Sequence, residues 1–154
     1  LLAASLAQSG WSLARDWSER ADEVADKRGT LAATAAWVDA RMRPGETMLV
    51  HDIGYVSYAL DRPLFDIVGL RSSRAIEVNE GHLGRPPRER RGLALDQFAR
   101  DTGACYLLVT QGWNRWLGLT SGMEAQGWRL IAHPDGHPPA HEAYLIDRPG
   151  CAFR

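Results

Sequence analysis

The chain has 154 residues, 45% of them hydrophobic and 24% charged, which suits one globular domain with a self-sufficient core. A formal net charge of -1 removes the overall electrostatic argument for nucleic acid, so none is expected as a partner. No run approaches the roughly 20 consecutive apolar residues that span a bilayer, and two cysteines do not make a disulfide scaffold.

The sequence opens Leu1-Leu2-Ala3-Ala4-Ser5-Leu6-Ala7 without an initiating Met. It reads as a fragment whose missing upstream residues fit the end of a transmembrane helix; no charged stretch stands ahead of it to mark a signal peptide. From Trp11 to Met42 the composition is helical, with Trp17, Ala21 and Val24 along one stripe. Gly29-Thr30 is expected to interrupt that helix. Thr30 then caps a second one, with Leu31, Ala35, Val38 and Met42 on one face, and Pro44-Gly45 stops it.

Thr47-Met48-Leu49-Val50 is a short apolar run that predicts a buried strand, with Asp52 and Gly54 where it exits into a loop. Gly54 there permits a positive φ or the close approach of another backbone. Asp52 has two open readings, bracing loop amides or contacting a ligand. Tyr55 to Leu60 predicts a short helix, and Leu64 to Val68 a second strand. Asp66, with apolar flanks, points into a polar pocket or is hydrogen-bonded within the sheet. Residues 71–91 carry Gly81, Gly84, Pro86 and Pro87 with Arg85, Arg88, Arg90 and Arg91, and read as a long loop with a basic tip.

Leu93 to Thr102 predicts a helix ended by Gly103, and Cys105 to Thr110 a third strand. Gln111 to Trp116 reads as an aromatic loop, Leu117 to Gln126 as a helix, and Trp128 to Ala132 as a strand. Ala143 to Ile146 is the last strand, paired hairpin-like with the one before it. The alternation predicts an α/β fold: a small sheet of about four to five strands flanked by helices, preceded by a long N-terminal helical segment. Cys105 reads as a buried small hydrophobe. A bridge to Cys151 needs the tail to return within about 7 Å of that strand.

Asp52-Ile53-Gly54-Tyr55, then Arg62-Pro63, then Asp66-Ile67-Val68-Gly69-Leu70 follow in order after a helix that ends in Pro44-Gly45, and the Tyr106-Leu107-Leu108-Val109 strand comes later. This order resembles the C-terminal soluble domain of multi-pass membrane glycosyltransferases that use polyprenyl-phosphate sugars. The likeness spans the chain from about Leu31 onward, with His51 and Tyr55 as departures from the pattern. It implies a membrane-proximal helical linker over 1–29 and an extracytoplasmic α/β domain over 30–154, at the cell membrane. The implied partners are the membrane-embedded part of the same polypeptide and a polyprenyl-linked sugar or glycan acceptor. In such enzymes the catalytic acidic residue lies in the membrane part. Neither a catalytic residue nor a cofactor is therefore expected in this chain, whose role is structural, acceptor-positioning or partner-docking.

Beside the likeness, several constellations carry possible chemistry. His133, His137 and His141 recur at intervals of four, but Pro134, Gly136, Pro138 and Pro139 forbid the helix that would align them. A solvated turn is the expectation, and no metal. His51 and Asp52, as strand neighbours, point to opposite faces, which disfavours a soluble enzyme built on that pair. Neither a Gly-rich phosphate loop nor a G-x-S-x-G elbow is present. The ligand candidates are Asp52, Gly54, Arg62, Asp66 and Arg71, at strand ends where open α/β sheets hold ligands; they also suit a stand-alone carbohydrate or polar-ligand module. Arg85, Arg88, Arg90 and Arg91 either meet a phosphate or membrane surface or form a solvated basic loop. Trp113 and Trp116 either stack on a sugar or membrane interface or close a core edge.

Overall fold

A computed structural model describes the backbone of residues 2–51 and 54–154, with side chains from residue 19 onward except at 21, 23 and 55. Helix α1 (Leu2–Arg41) runs for 40 residues without a break. The interruption expected at Gly29-Thr30 does not occur. Gly29 is exposed and a Cβ there would meet nothing within 4 Å, so the glycine costs only its propensity, about 1 kcal/mol against Ala. Thr30 sits inside the helix, where its carbonyl lies 3.0 Å from the Thr34 hydroxyl, rather than capping a new one.

The remaining elements are β1 (Met48–Val50), α2 (Gly54–Ala59), β2 (Leu64–Asp66), α3 (Ser73–Gly81), α4 (Pro87–Thr102), β3 (Tyr106–Thr110), α5 (Gln111–Leu117), α6 (Leu119–Ala125), β4 (Leu130–Ala132) and β5 (His141–Ile146). They form the expected α/β fold around one sheet of order β2-β1-β3-β5-β4. β1 is parallel to β2 and β3, while β5 is antiparallel to β3 and β4. Alternation along the strands separates two cores. Leu49, Leu107 and Val109 face α3, α4 and α6 through Val78, Leu95, Phe98 and Met123. Met48, Val50, Tyr106 and Leu108 face α1 and α2 through Val38 and Val56.

Three expectations are corrected. Residues 71–91 are largely helical: Ser72 caps α3, its Oγ accepting from the Ala75 amide at 3.3 Å, and Pro87 stands in the first turn of α4. A missing N–H is harmless at that position, so the Pro86-Pro87 pair starts a helix instead of extending a loop. The aromatic stretch is helix α5, closed by Gly118 at φ 63°. Cys105 is not a lone hydrophobe but is bridged to Cys151, with a Cα–Cα distance of 5.3 Å. The tail returns because Phe153 pairs with Met42 and the Arg154 amide donates to the Arg41 carbonyl at 2.8 Å.

The direction of α1 follows from two contacts. The Arg43 amide donates to the Tyr106 hydroxyl at 3.0 Å, so the end of α1 stands at the start of β3. Upstream, the Thr34 hydroxyl reaches the Pro139 carbonyl at 3.0 Å beside His141, which pairs with Thr110 at the end of β3. Helix α1 thus runs antiparallel to the parallel strands, and its exposed stretch from Val24 to Gly29 lies beyond their C-terminal ends. Among the described residues no helix is long and apolar enough to cross a membrane.

Candidate functional site

Strand β2 ends at Asp66, which is only 1% exposed. Its Oδ1 accepts from the Val68 amide at 2.9 Å and its Oδ2 from the Arg71 amide at 2.8 Å, so both oxygens serve the backbone of the following loop. Within that loop Gly69 has φ 103°, and a Cβ on it would stand 2.7 Å from Ile76 Cγ1. The turn can therefore lie against α3 only with glycine in this place. Carboxylate and glycine together fix where Arg71 leaves the backbone.

A cleft of about 400 Å³ flanks β2, the edge strand of the sheet, lined by Ser57, Arg62, Leu64, Phe65, Asp66, Arg71 and Ser72. Arg62 comes from the turn between α2 and β2. Its side chain is 2% exposed, and Nη2 pairs with Asp39 Oδ1 of α1 at 3.0 Å. Among the described residues Nε and Nη1 are buried with no partner. Arg71 enters from the other side, and its Nη1 donates to Ser57 Oγ at 3.2 Å. That hydroxyl in turn donates to the Gly54 carbonyl at 3.0 Å, which ties the start of α2 to the cleft. Of the five ligand candidates, Arg62, Asp66 and Arg71 thus line one cleft and Gly54 stands one hydrogen bond behind it. Asp52 lies outside the described residues, and the His51-Asp52 pair with it.

A second hollow of about 330 Å³ opens at the ends of β1 and β3, lined by His51, Val68, Leu70, Arg91, Trp113 and Leu117. Past Val68 and Arg91 it adjoins another of about 270 Å³ that Ile76, Leu83 and Arg90 help to line. The Trp113 ring lies 5.1 Å from His51 and 5.0 Å from Trp116. Trp113 is 44% and Trp116 69% exposed, so these rings form a surface rather than the seal of a core edge. The basic cluster is not a loop tip. Arg85 precedes α4 and pairs with Glu89 at 3.1 Å, Arg88 lies near Gly118, and Arg90 and Arg91 face the hollow from α4. Arg91 Nη1 reaches Asn79 Oδ1 at 3.4 Å; burial, followed by the neighbouring Arg90 charge, pulls its pKa below the ordinary value.

The three spaced histidines serve the loop that carries them. His133 Nδ1 accepts from the Asp135 amide at 3.0 Å, His137 Nδ1 accepts from the Ala143 amide at 3.1 Å, and the buried His141 ring lies 3.3 Å from the Thr34 hydroxyl. Among the described residues no group of three His, Cys, Asp or Glu side chains could hold a metal ion. Sequence reasoning missed Ser57, Ser72 and the Asp39 partner of Arg62. Only Ser72 left a signal, as a serine just ahead of a helical stretch. The geometry offers guanidinium and hydroxyl donors along the edge of β2, which suits binding and positioning.

A family model described as a domain of unknown function, DUF8728, matches residues 9–147. The chain belongs to that family. No curated protein and no solved structure matches it. The matched span includes α2 through β5, and with them every residue lining the cleft beside β2.

Proposed function

We propose that the chain is the extracytoplasmic C-terminal domain of a membrane glycosyltransferase that uses polyprenyl-linked sugars, and that the cleft beside β2 positions the acceptor for a catalytic centre in the membrane part. The observation that carries this reading is that the motif on which the resemblance rests builds the cleft: Asp66 and Gly69 shape the loop that delivers Arg71, and Arg62 opens the motif's second half. The Cys105–Cys151 bridge supports a compartment outside the cytoplasm, since structural disulfides persist where the environment is oxidising. The transfer step belongs to the membrane part, so the 154-residue chain by itself turns over no substrate.

The complete reading frame around this segment tests the proposal. Several apolar spans upstream, with an acidic residue in the first extracytoplasmic loop, are expected; a frame without such spans overturns it. In a full-length enzyme, Arg71→Ala should slow transfer to acceptor while donor binding is retained. The exposed Trp113–Trp116 pair favours a second reading, a stand-alone carbohydrate-binding module, because paired ring faces suit stacking on sugars. Saturable binding of a neutral glycan that Trp116→Ala abolishes, in a protein without membrane spans, would select it.

A further inference from the structure

We infer that the cleft beside β2 is an oxyanion site, in which Arg62 and Arg71 take a phosphate or carboxylate group borne by a small polar ligand. The inference rests on the reading that this cleft is the domain's ligand site, and it names the chemistry of what enters.

The argument is a count of donors against acceptors. Buried polar groups in native proteins nearly always have partners, so each orphan calls for an explanation. Among the described residues the buried Arg62 side chain has a single ion pair, to an Asp39 side chain that is itself 71% exposed, and leaves Nε and Nη1 unpartnered. Arg71 makes no ion pair among the described residues and spends one nitrogen on Ser57. The side-chain acceptors of the cleft are each already engaged once. Both Asp66 oxygens are taken by the Val68 and Arg71 amides, and Ser72 Oγ accepts from the Ala75 amide. A ligand that engages the spare guanidinium donors must bring acceptors.

A charged oxyanion answers that need better than a neutral hydroxyl. Its hydrogen bonds to guanidinium are charge-assisted and bidentate. Ser72 also opens the nine-residue helix α3 at the cleft wall, so the helix dipole adds in the same direction. The two orphaned nitrogens are covered in this structure. Engagement requires the Arg62 guanidinium to turn about its Asp39 pair. A volume of about 400 Å³ exceeds one anionic group, so the anion is carried on a larger polar body.

Calorimetric titration of the 154-residue chain with inorganic phosphate, with acetate at matched ionic strength and with maltose tests the inference. Saturable binding of phosphate or acetate is expected, weakened by roughly ten-fold or more in Arg71→Ala, where one charge-assisted contact is lost. The phosphate and acetate arms separate the two sources of the oxyanion. Arg71 is exposed, so its replacement leaves the fold intact, and Arg62→Lys adds a variant that keeps the charge but loses the fork. Arg129→Ala, at an exposed ion pair with Asp147, should bind like the unaltered chain. Three results overturn the inference: no saturation by either anion, anion binding that Arg71→Ala leaves unchanged, or binding of maltose alone. Maltose binding alone that Arg71→Ala abolishes would keep the cleft as a ligand site while rejecting the anion. A reading frame without membrane spans would reject the glycosyltransferase and leave the anion result standing.

Discussion

Gly92 of α4 and Gly122 of α6 meet backbone to backbone. A Cβ on Gly92 would stand 2.5 Å from the Gly122 carbonyl oxygen, and one on Gly122 would stand 2.9 Å from Gly92 Cα. No flexible side chain is there to move aside. This close crossing lets α6 set Leu119 and Met123 into the same core as Leu95 and Phe98 of α4.

Gly92→Ala and Gly122→Ala should each lower stability by about 1–3 kcal/mol, the usual cost of forcing extra volume into a packed contact. Denaturant midpoints measure this directly. Gly29→Ala should act in the opposite sense, gaining about 0.5–1 kcal/mol, because that glycine lies in an exposed stretch of helix with nothing within 4 Å of its missing Cβ.

The Cys105–Cys151 bridge spans a sequence separation of 46 residues. Chain-entropy arguments assign a closed loop of that size a stabilisation of about 4 kcal/mol. Cys151→Ser, or reduction with a thiol, should therefore lower the thermal midpoint markedly. Hydrogen exchange should rise first in the tail around Phe153 and in its Met42 contact.

Tyr106 and Tyr144 impose an alkaline limit. Burial, then the hydrogen bond to Glu46, pushes Tyr106 up to about 12, and burial with the Glu142 charge pushes Tyr144 to about 12, from an ordinary 10.0. In the folded state both hold their protons after the unfolded chain has lost them. Their contribution is complete below pH 10 and is lost as pH climbs toward 12. Stability measured across that range should fall with pH, and the double variant Tyr106→Phe with Tyr144→Phe should flatten the slope.

Asp66→Ala removes the acceptor of two loop amides and should cost about 1–3 kcal/mol. Asp66→Asn, which keeps one carbonyl oxygen, should cost less. Exchange of the Val68 and Arg71 amides should accelerate in both, with the greater effect in the alanine variant.

Strands β1 and β3 were legible because each is a short apolar run bounded by turn residues, Met48-Leu49-Val50 and Tyr106-Leu107-Leu108-Val109. Helix starts were less legible. Pro86-Pro87 followed by arginines has loop composition, yet proline in a first helical turn is a start signal, and what α4 buries appears only further along, at Leu95 and Phe98. The same ambiguity hid α5, whose second residue is Gly112.

Arg62, Asp66 and Arg71 could be singled out because they stand close in sequence around one strand. Their shared cleft depends on Asp39 and Ser57, which reach it from α1 and α2, and no local pattern marks such contacts. The disulfide was equally hidden. It depends on a tail that turns back onto Met42 and Arg41, a return fixed by tertiary pairing rather than by the spacing of the cysteines.

An uninterrupted α1 makes the segment ahead of the sheet a ruler with a phase. Over 2–29 a rise of about 1.5 Å per residue amounts to roughly 40 Å, and each residue also turns whatever the helix carries by about 100°. Distance and azimuth can therefore be altered separately. Seven residues inserted near Lys27 would lengthen the rod by about 10 Å and nearly restore its heading, whereas two would add only about 3 Å and swing the attached body by about 200°. If the domain works by facing something at the far end of α1, the two-residue insertion is the one that should silence it.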